Sequence, residues 1–211
     1  MSCFFRYKSS SSPSSLIKVR LSYFYYYDII SIRKGDLMKL FDIIMSDDVV
    51  SEINNNLNYI LDIIPEVRYM IGFDHKHPHH HLDVWNHTLY ALSLSEKNFD
   101  VRLVLLLHDI GKPFSYQEGE FRRFKNHPVV SANMSKNILK RLNFNSSYID
   151  KICYLIRQHD SPITDDMIKD DYDNSLLLYK IQYCDALAHH PDKLEKRKDY
   201  LNSISKKLIK K

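Results

Sequence analysis

Four histidines and two aspartates, His87, His108, Asp109, His127, His159 and Asp185, are spread along the sequence at positions suited to metal chemistry. Imidazole and carboxylate donors together suit Mn, Fe, Co, Ni or Zn better than Ca, and they admit Mg. A carboxylate can bridge two ions, so the set fits one or two ions per chain, with Asp109 as the natural bridge. A lone histidine in an apolar helix is more often a hydrogen-bonded core or surface residue than a ligand. Asp109 changes that weighting. It follows Val104-Leu105-Leu106-Leu107-His108, and a carboxylate at the end of so apolar a run needs a partner if it is buried. A metal supplies one, whereas a purely structural aspartate at a helix C-terminus opposes the helix dipole.

Other residues are less specific. Lys112 either touches a substrate phosphate, anchors Asp109, or is a solvated lysine after a helix. Arg122, Arg123 and Lys125 form the candidate phosphate-binding cluster, since they lead into His127; a solvated charge run is the alternative reading. His75, His77, His79, His80 and His81 surround Pro78 in a stretch that reads as a solvent-exposed loop, more suited to adventitious metal than to catalysis; a loop lining the pocket is the alternative reading. His189-His190 before Pro191 reads as a helix terminus, where cationic histidine is welcome. Trp85 reads as core. The tail lysines Lys206, Lys207, Lys210 and Lys211 read as a solvated helix end; no aromatic residues interleave with them, so no dedicated nucleic-acid surface is expected.

These ligands must be brought together by helices. From Met38 onward the apolar residues recur mostly at helical spacing, with breaks at proline, glycine or asparagine, and the expected fold class is all-α. The pattern predicts helices over Asp47 to Ile64, Leu82 to Lys97, Asp100 to Asp109, Pro128 to Leu142, Ser146 to His159, Ser175 to His189 and Asp192 to Leu208. Gly111 and Pro113 read as the stop of the third. Ligands from several packed helices can converge on a point that no single helix surrounds. Adjacent His108 and Asp109 project about 100° apart on a regular helix, so both reach one site most easily at a frayed end. The segment Phe114 to Asn126, aromatic and charged, reads as a loop or small hairpin beside the site.

Asp83-Val-Trp-Asn-His87-Thr, His108-Asp-Ile-Gly-Lys-Pro113, His127 ahead of a helix, Leu-Ile-Arg-Gln-His159 and Cys184-Asp185-Ala together resemble the HD superfamily of metal-dependent phosphohydrolases. Within it, the chain is most similar to the HD domain appended to bacterial tRNA nucleotidyltransferases, including the lead-in His77-Pro78-His79-His80, over roughly residues 72 to 190. The resemblance implies a single HD-type helical bundle with His87, His108, Asp109 and Asp185 as core ligands. It places His127 and His159 where two-metal members hold the second ion. Asn126 stands where the family pattern has glycine. No glycine pair followed by an Asp-x-Asp motif occurs, so a nucleotidyltransferase domain is not expected.

Composition bounds the rest. The 211 residues, 44% hydrophobic, suffice for one sizeable core. The net charge of +4 suits anionic substrates without demanding nucleic acid. Cys3, Cys153 and Cys184 show no paired spacing, which points to a reducing cytoplasm. No apolar run approaches the roughly 20 residues of a membrane helix. Only four glycines occur, never clustered, so no phosphate-cradling glycine loop can be drawn. Residues 1–37 read as a low-complexity extension, disordered or non-native, ahead of a hydrolase domain at 38–211. The serine run Ser9 to Ser15 and the tyrosine-rich Tyr23 to Tyr27 set that segment apart. Arg33-Lys34-Gly35-Asp36-Leu37-Met38 back-translates to a purine-rich ribosome-binding sequence, which makes Met38 a candidate start.

The expected activity is metal-activated hydrolysis of a phosphomonoester or phosphodiester, for example a 2′,3′-cyclic nucleotide. The expected partner is a small phosphorylated substrate, a nucleotide foremost. Metal would turn water into a nucleophile, with Asp109 and Lys112 as the catalytic side chains. Two alternatives keep the same residues: a di-iron enzyme that hydrolyses diadenosine tetraphosphate or activates oxygen, and a non-catalytic nucleotide sensor.

Overall fold

A computed structural model describes residues 34–76, 82–189 and 191–209. The segment 1–33, the histidines His77, His79, His80 and His81, His190, Lys210 and Lys211 lie outside the described residues. The chain divides into units 1–31 and 32–211, and everything described belongs to the second.

The described residues are helical, as the periodicity predicts, and hold no β-strand; an isolated antiparallel bridge pairs Gln117 with Arg123. The first helix, α1 (Lys34–Ile44), buries Leu40, Ile43 and Ile44 on one stripe and runs through Met38. The long helix expected over Asp47 to Ile64 is two: α2 (Val49–Asn55), capped by Asp48 on the Ser51 amide, and α3 (Leu57–Ile63). The break falls on Asn56, whose side-chain amide donates to the Glu52 carbonyl and carboxylate. An asparagine that bonds locally in this way competes with the helix ladder. Pro65 then opens a 3₁₀ turn, Pro65–Tyr69.

The site-bearing helices follow. Asp83 caps α4 (Val84–Ser93) by accepting from the Asn86 amide at 2.7 Å, and Asn98 caps α5 (Phe99–Leu107) through the Val101 amide. A short turn, α6 (Lys112–Ser115), leads to the loop before α7 (His127–Arg141). Then come α8 (Ser146–Gln158), α9 (Asp165–Asp170), α10 (Tyr172–Leu187) and α11 (Pro191–Ile209). Helix α5 is buried from Val101 to Leu107 and apolar there except for Arg102, with α4, α8 and α10 packed against it; α7 packs on α8, and α10 on α11. The ends of these helices meet around the C-terminal turn of α5.

Gly111 does not act as the left-handed helix stop expected of it. Its φ is −84°, and the backbone continues in helical turns into α6. Glycine is required there for a different reason: a Cβ would come within 2.5 Å of the Ser131 backbone nitrogen on α7. The Gly111 amide instead donates to Ser131 Oγ at 2.9 Å, which seats the His108-Asp109 turn directly on α7.

No helix among the described residues is long and apolar enough to cross a membrane.

Candidate metal centre

All six ligand candidates are buried and lie together. His87 comes from the first turns of α4. His108 and Asp109 leave the end of α5, where the helix has closed at Leu107, so both side chains reach the same site as the frayed-end argument requires. His127 opens α7, His159 follows the last residue of α8, and Asp185 sits near the end of α10. Asn126, in the position of the family's glycine, adopts φ 65°, ψ 9°; asparagine tolerates this left-handed conformation, so the chain still turns His127 inward.

The four histidines share one feature. Each Nδ1 lies within hydrogen-bond distance of a backbone carbonyl: His87 to Ala188 at 3.2 Å, His108 to Leu105 at 2.7 Å, His127 to Phe124 at 2.9 Å and His159 to Ile156 at 2.6 Å. A carbonyl only accepts, so each Nδ1 carries the proton and each Nε2 faces the centre. That is how carbonyls orient metal-binding imidazoles.

Asp109 divides the ring of histidines. Its Oδ2 lies 3.3 Å from His108 Nε2 and 3.7 Å from His87 Nε2, while Oδ1 lies 3.3 Å from His127 Nε2 and 4.0 Å from His159 Nε2. Asp185 Oδ1 approaches His87 Nε2 at 2.9 Å and His108 Nε2 at 3.6 Å. Two sets of donor atoms are close enough to share an ion: His87, His108 and Asp185, and His108, Asp109 and His159. Among the described residues, His108 Nε2 and Asp109 Oδ1 are buried without any hydrogen-bond partner. Unpaired buried polar atoms are costly, and a cation between them removes the cost. The residues present therefore fit a divalent ion.

The electrostatics agree. Burial disfavours charge on Asp109, but His108 and Lys112 beside it outweigh burial and hold its carboxyl well below the usual range. Burial likewise opposes charge on Asp185, and His189, His108 and His87 overcome it. Burial pushes His108 down while Asp109 and Asp185 lift it, to about 10 on balance. His159 goes the other way, down to about 4, through burial and the neighbouring His108 and His127. Two carboxylates remain ionised in a dry pocket, the charge that a divalent cation balances.

Lys112 is 5% exposed and donates to Asp109 Oδ2 at 2.6 Å, so the solvated reading of this lysine does not hold. The solvent-exposed reading of the histidine stretch fails for His75, which is fully buried and accepts from Lys112 Nζ at 3.2 Å. His189 is more than a helix terminus: it is buried, donates from Nδ1 to the Asp185 carbonyl at 2.7 Å and packs edge-on against His87. Arg197, which carried no signal in the sequence, places Nη1 3.4 Å from Asp185 Oδ2.

The basic loop is arranged differently from the other candidates. Arg122 donates to Glu118 Oε1 through Nε and Nη2, and to the Asp74 carbonyl through Nη1, with its guanidinium over Phe73 and Tyr116. Arg123 and Lys125 are exposed. None of the three makes a hydrogen bond or ion pair to the six clustered residues. At the C-terminus, Lys207 pairs with Asp165.

A family model described as "HD domain" matches residues 79–198, which enclose all six clustered residues. The chain is similar to a CC-adding tRNA nucleotidyltransferase of Thermus thermophilus, with 33% identity over 105 residues, 46% of this chain and 24% of that protein. It is also similar to an A-adding tRNA nucleotidyltransferase of Deinococcus radiodurans, with 33% identity over 109 residues, 47% of this chain and 25% of that protein. The chain thus spans about a quarter of the length of these curated relatives.

Proposed function

The chain belongs to the HD domain family, which implies metal-dependent phosphohydrolase chemistry, and from that premise we propose that it hydrolyses a small phosphate ester, a nucleotide or 2′,3′-cyclic nucleotide foremost. His87, His108, Asp109, His127, His159 and Asp185 are the metal ligands in this reading. The observation that carries it is the placement of Asp109, one oxygen toward His87 and His108 and the other toward His127 and His159, with buried His108 Nε2 and Asp109 Oδ1 lacking hydrogen-bond partners.

A bound divalent ion would lower the pKa of water toward about 7 and neutralise charge on phosphoryl oxygens. The chain's own residues do the remaining work. Ionised Asp109 and Asp185 bind the cation, and the backbone carbonyls fix the imidazole tautomers. Asp109 accepts a hydrogen bond from the attacking water and orients it; water adds to phosphorus as the ester P–O bond breaks, and the proton that the water loses passes to the leaving oxygen. Lys112 brings a buried positive charge that a phosphoryl oxygen can share with Asp109. The apolar wall of α5, from Val104 to Leu107, excludes water behind the site. Arg123 and Lys125, exposed on the adjoining loop, are the cations available to substrate phosphate, whereas Arg122 is engaged by Glu118 and Asp74. The similar curated proteins carry tRNA nucleotidyltransferase in their names, which favours a nucleotide-type substrate.

The split of Asp109, with Oδ1 toward His127 and His159 and Oδ2 toward His87 and His108, favours a two-ion centre. That arrangement also suits a di-iron enzyme acting on diadenosine tetraphosphate or on oxygen, and metal analysis of the purified protein separates the two readings.

The test is to purify the full chain, count metal per chain, and screen 2′,3′-cyclic nucleotides, nucleoside monophosphates and generic phosphoesters with and without chelator and Asp109→Ala. Metal-dependent turnover that disappears in the variant is expected. Hydrolysis surviving Asp109→Ala would sink the mechanism; nucleotide binding without turnover by the wild type would support a sensor.

A further inference from the structure

The wall of the site includes a histidine that precedes the matched residues 79–198. His75 lies on the irregular segment between the 3₁₀ turn and α4, yet it is fully buried. Its Nδ1 is 3.0 Å from the Leu82 carbonyl, which only accepts, so Nδ1 holds the proton and Nε2 is an acceptor. Lys112 Nζ lies 3.2 Å from that Nε2 and 2.6 Å from Asp109 Oδ2. The His75 ring packs edge-on against His87 and Phe124, with centroids 5.9 and 5.6 Å away.

We infer that His75 is a positioning residue for Lys112: its Nε2 and Asp109 Oδ2 are the two fixed acceptors that hold the ammonium beside the metal centre. The inference rests on the hydrolase reading above for its catalytic meaning. An ammonium on a four-carbon stem rotates freely about one acceptor; two acceptors in different directions fix it and leave one of its three N–H groups for a substrate oxygen. The segment carrying His75 is tied on both sides. The Asp74 carbonyl accepts from Arg122 Nη1 at 2.6 Å, and the Lys76 carbonyl accepts from the Arg122 amide at 3.2 Å. The Lys76 amide donates to Asp74 Oδ1 at 2.8 Å, with Lys76 itself in the left-handed region at φ 45°. Arg122 thereby serves the site through this loop, by holding the residues that flank His75.

Two measurements test this on the full chain. In steady-state kinetics on the Mn-loaded protein, His75→Leu should lower kcat about 10- to 100-fold, the range of one lost charge-assisted hydrogen bond. Metal per chain and KM should hold steady, and His75→Gln, which restores an acceptor, should recover most of the loss. The double variant His75→Leu/Lys112→Ala should be no slower than Lys112→Ala alone, because both act through one ammonium. Separately, in ¹⁵N-histidine NMR of the protein, the His75 Nε2 resonance should show the Nδ1–H tautomer and shift on Lys112→Ala. Additive losses in the double variant, a Gln variant as impaired as Leu, or a resonance unmoved by Lys112→Ala would overturn the inference. A wild type that hydrolyses no phosphoester while the resonance moves would overturn the hydrolase reading and leave the His75–Lys112 pair standing. Active enzyme unaffected by His75→Leu would do the reverse.

Discussion

His127 Nε2 and His159 Nε2 lie 3.2 Å apart, while each ring gives its Nδ1 proton to a carbonyl, Phe124 and Ile156 respectively. Two bare imidazole lone pairs facing each other repel, so the contact is stable only with a cation or a proton between them. Both rings also approach Asp109 Oδ1. Wild-type protein is expected to take up two divalent ions per chain and His159→Ala one, counted by elemental analysis after equilibration with Mn(II). Equal stoichiometry in the two proteins would show that this pair does not hold a second ion.

The metal-free chain should be acid-sensitive above the carboxylate range. Burial and then Lys112 depress His75 to about 2, and burial with His108 and His127 depresses His159 to about 4. Depressed histidines are neutral when folded and protonate near 6.5 when unfolded, so the unfolded state gains protons first. Their stabilising contribution is complete above pH 6.5 and is lost as pH falls from 6.5, toward 4 for His159 and toward 2 for His75. At pH 5 each should cost about 2 kcal/mol relative to neutral pH. His108, raised to about 10, stays protonated in the folded state while its unfolded form protonates through 6.5, so between pH 7 and pH 5 it offsets about 1 kcal/mol of that loss. Urea denaturation of chelated protein at pH 7 and pH 5 reads the net difference, and His75→Gln should reduce it by half or more.

That these six residues would cluster was legible in the sequence, because most of them sit beside a local signal. Asp83 caps the helix that carries His87, the apolar run of α5 ends at His108-Asp109, and Pro128 opens the helix begun by His127. The all-α class was legible for the same reason, since a 3.6-residue period survives without tertiary information. His75 was legible only through the alternative that its loop lines the pocket; its burial and its contact with Lys112 were not. Its polar surroundings suggest a solvated loop, and its burial comes from Lys112 and Phe124, partners distant in sequence. Arg197 is one charge among many on a polar helix until α11 packs on α10 and brings it to Asp185. The helix break at Asn56 depended on a side-chain hydrogen bond that helical periodicity does not encode.

Gly111→Ala should damage both stability and the metal centre. The added Cβ would meet the Ser131 backbone nitrogen at 2.5 Å and its Oγ at 2.8 Å, and a backbone atom cannot step aside as a flexible side-chain end can. Overpacking of this kind costs typically about 1–3 kcal/mol. Relief requires the turn carrying His108, Asp109 and Lys112 to move off α7, which carries His127. Thermal denaturation should therefore show a lower midpoint, and Mn(II) titration a weaker affinity, in the same variant. A destabilised variant with unchanged metal affinity would mean that the clash is absorbed by α7 away from the site.

Arg197 should matter to metal affinity without being a ligand. Its guanidinium donates to Asp185 Oδ2 at 3.4 Å and lies 3.8 Å from Asp160, while Asp185 Oδ1 faces His87 and His108. One carboxylate oxygen thus points at the ligand group and the other is held from α11, so the cation fixes the rotation of the carboxylate. Partners that orient a metal ligand typically account for about 10- to 100-fold in affinity. Arg197→Met, which keeps much of the aliphatic stem, is expected to weaken Mn(II) binding within that range. Arg197→Lys should recover only part of it, because an ammonium lacks the planar fork that spans Asp185 and Asp160 together. Isothermal titration at fixed pH measures all three proteins, and equal affinities for wild type and Arg197→Met would show that His87 and the helix backbone hold Asp185 without help from α11.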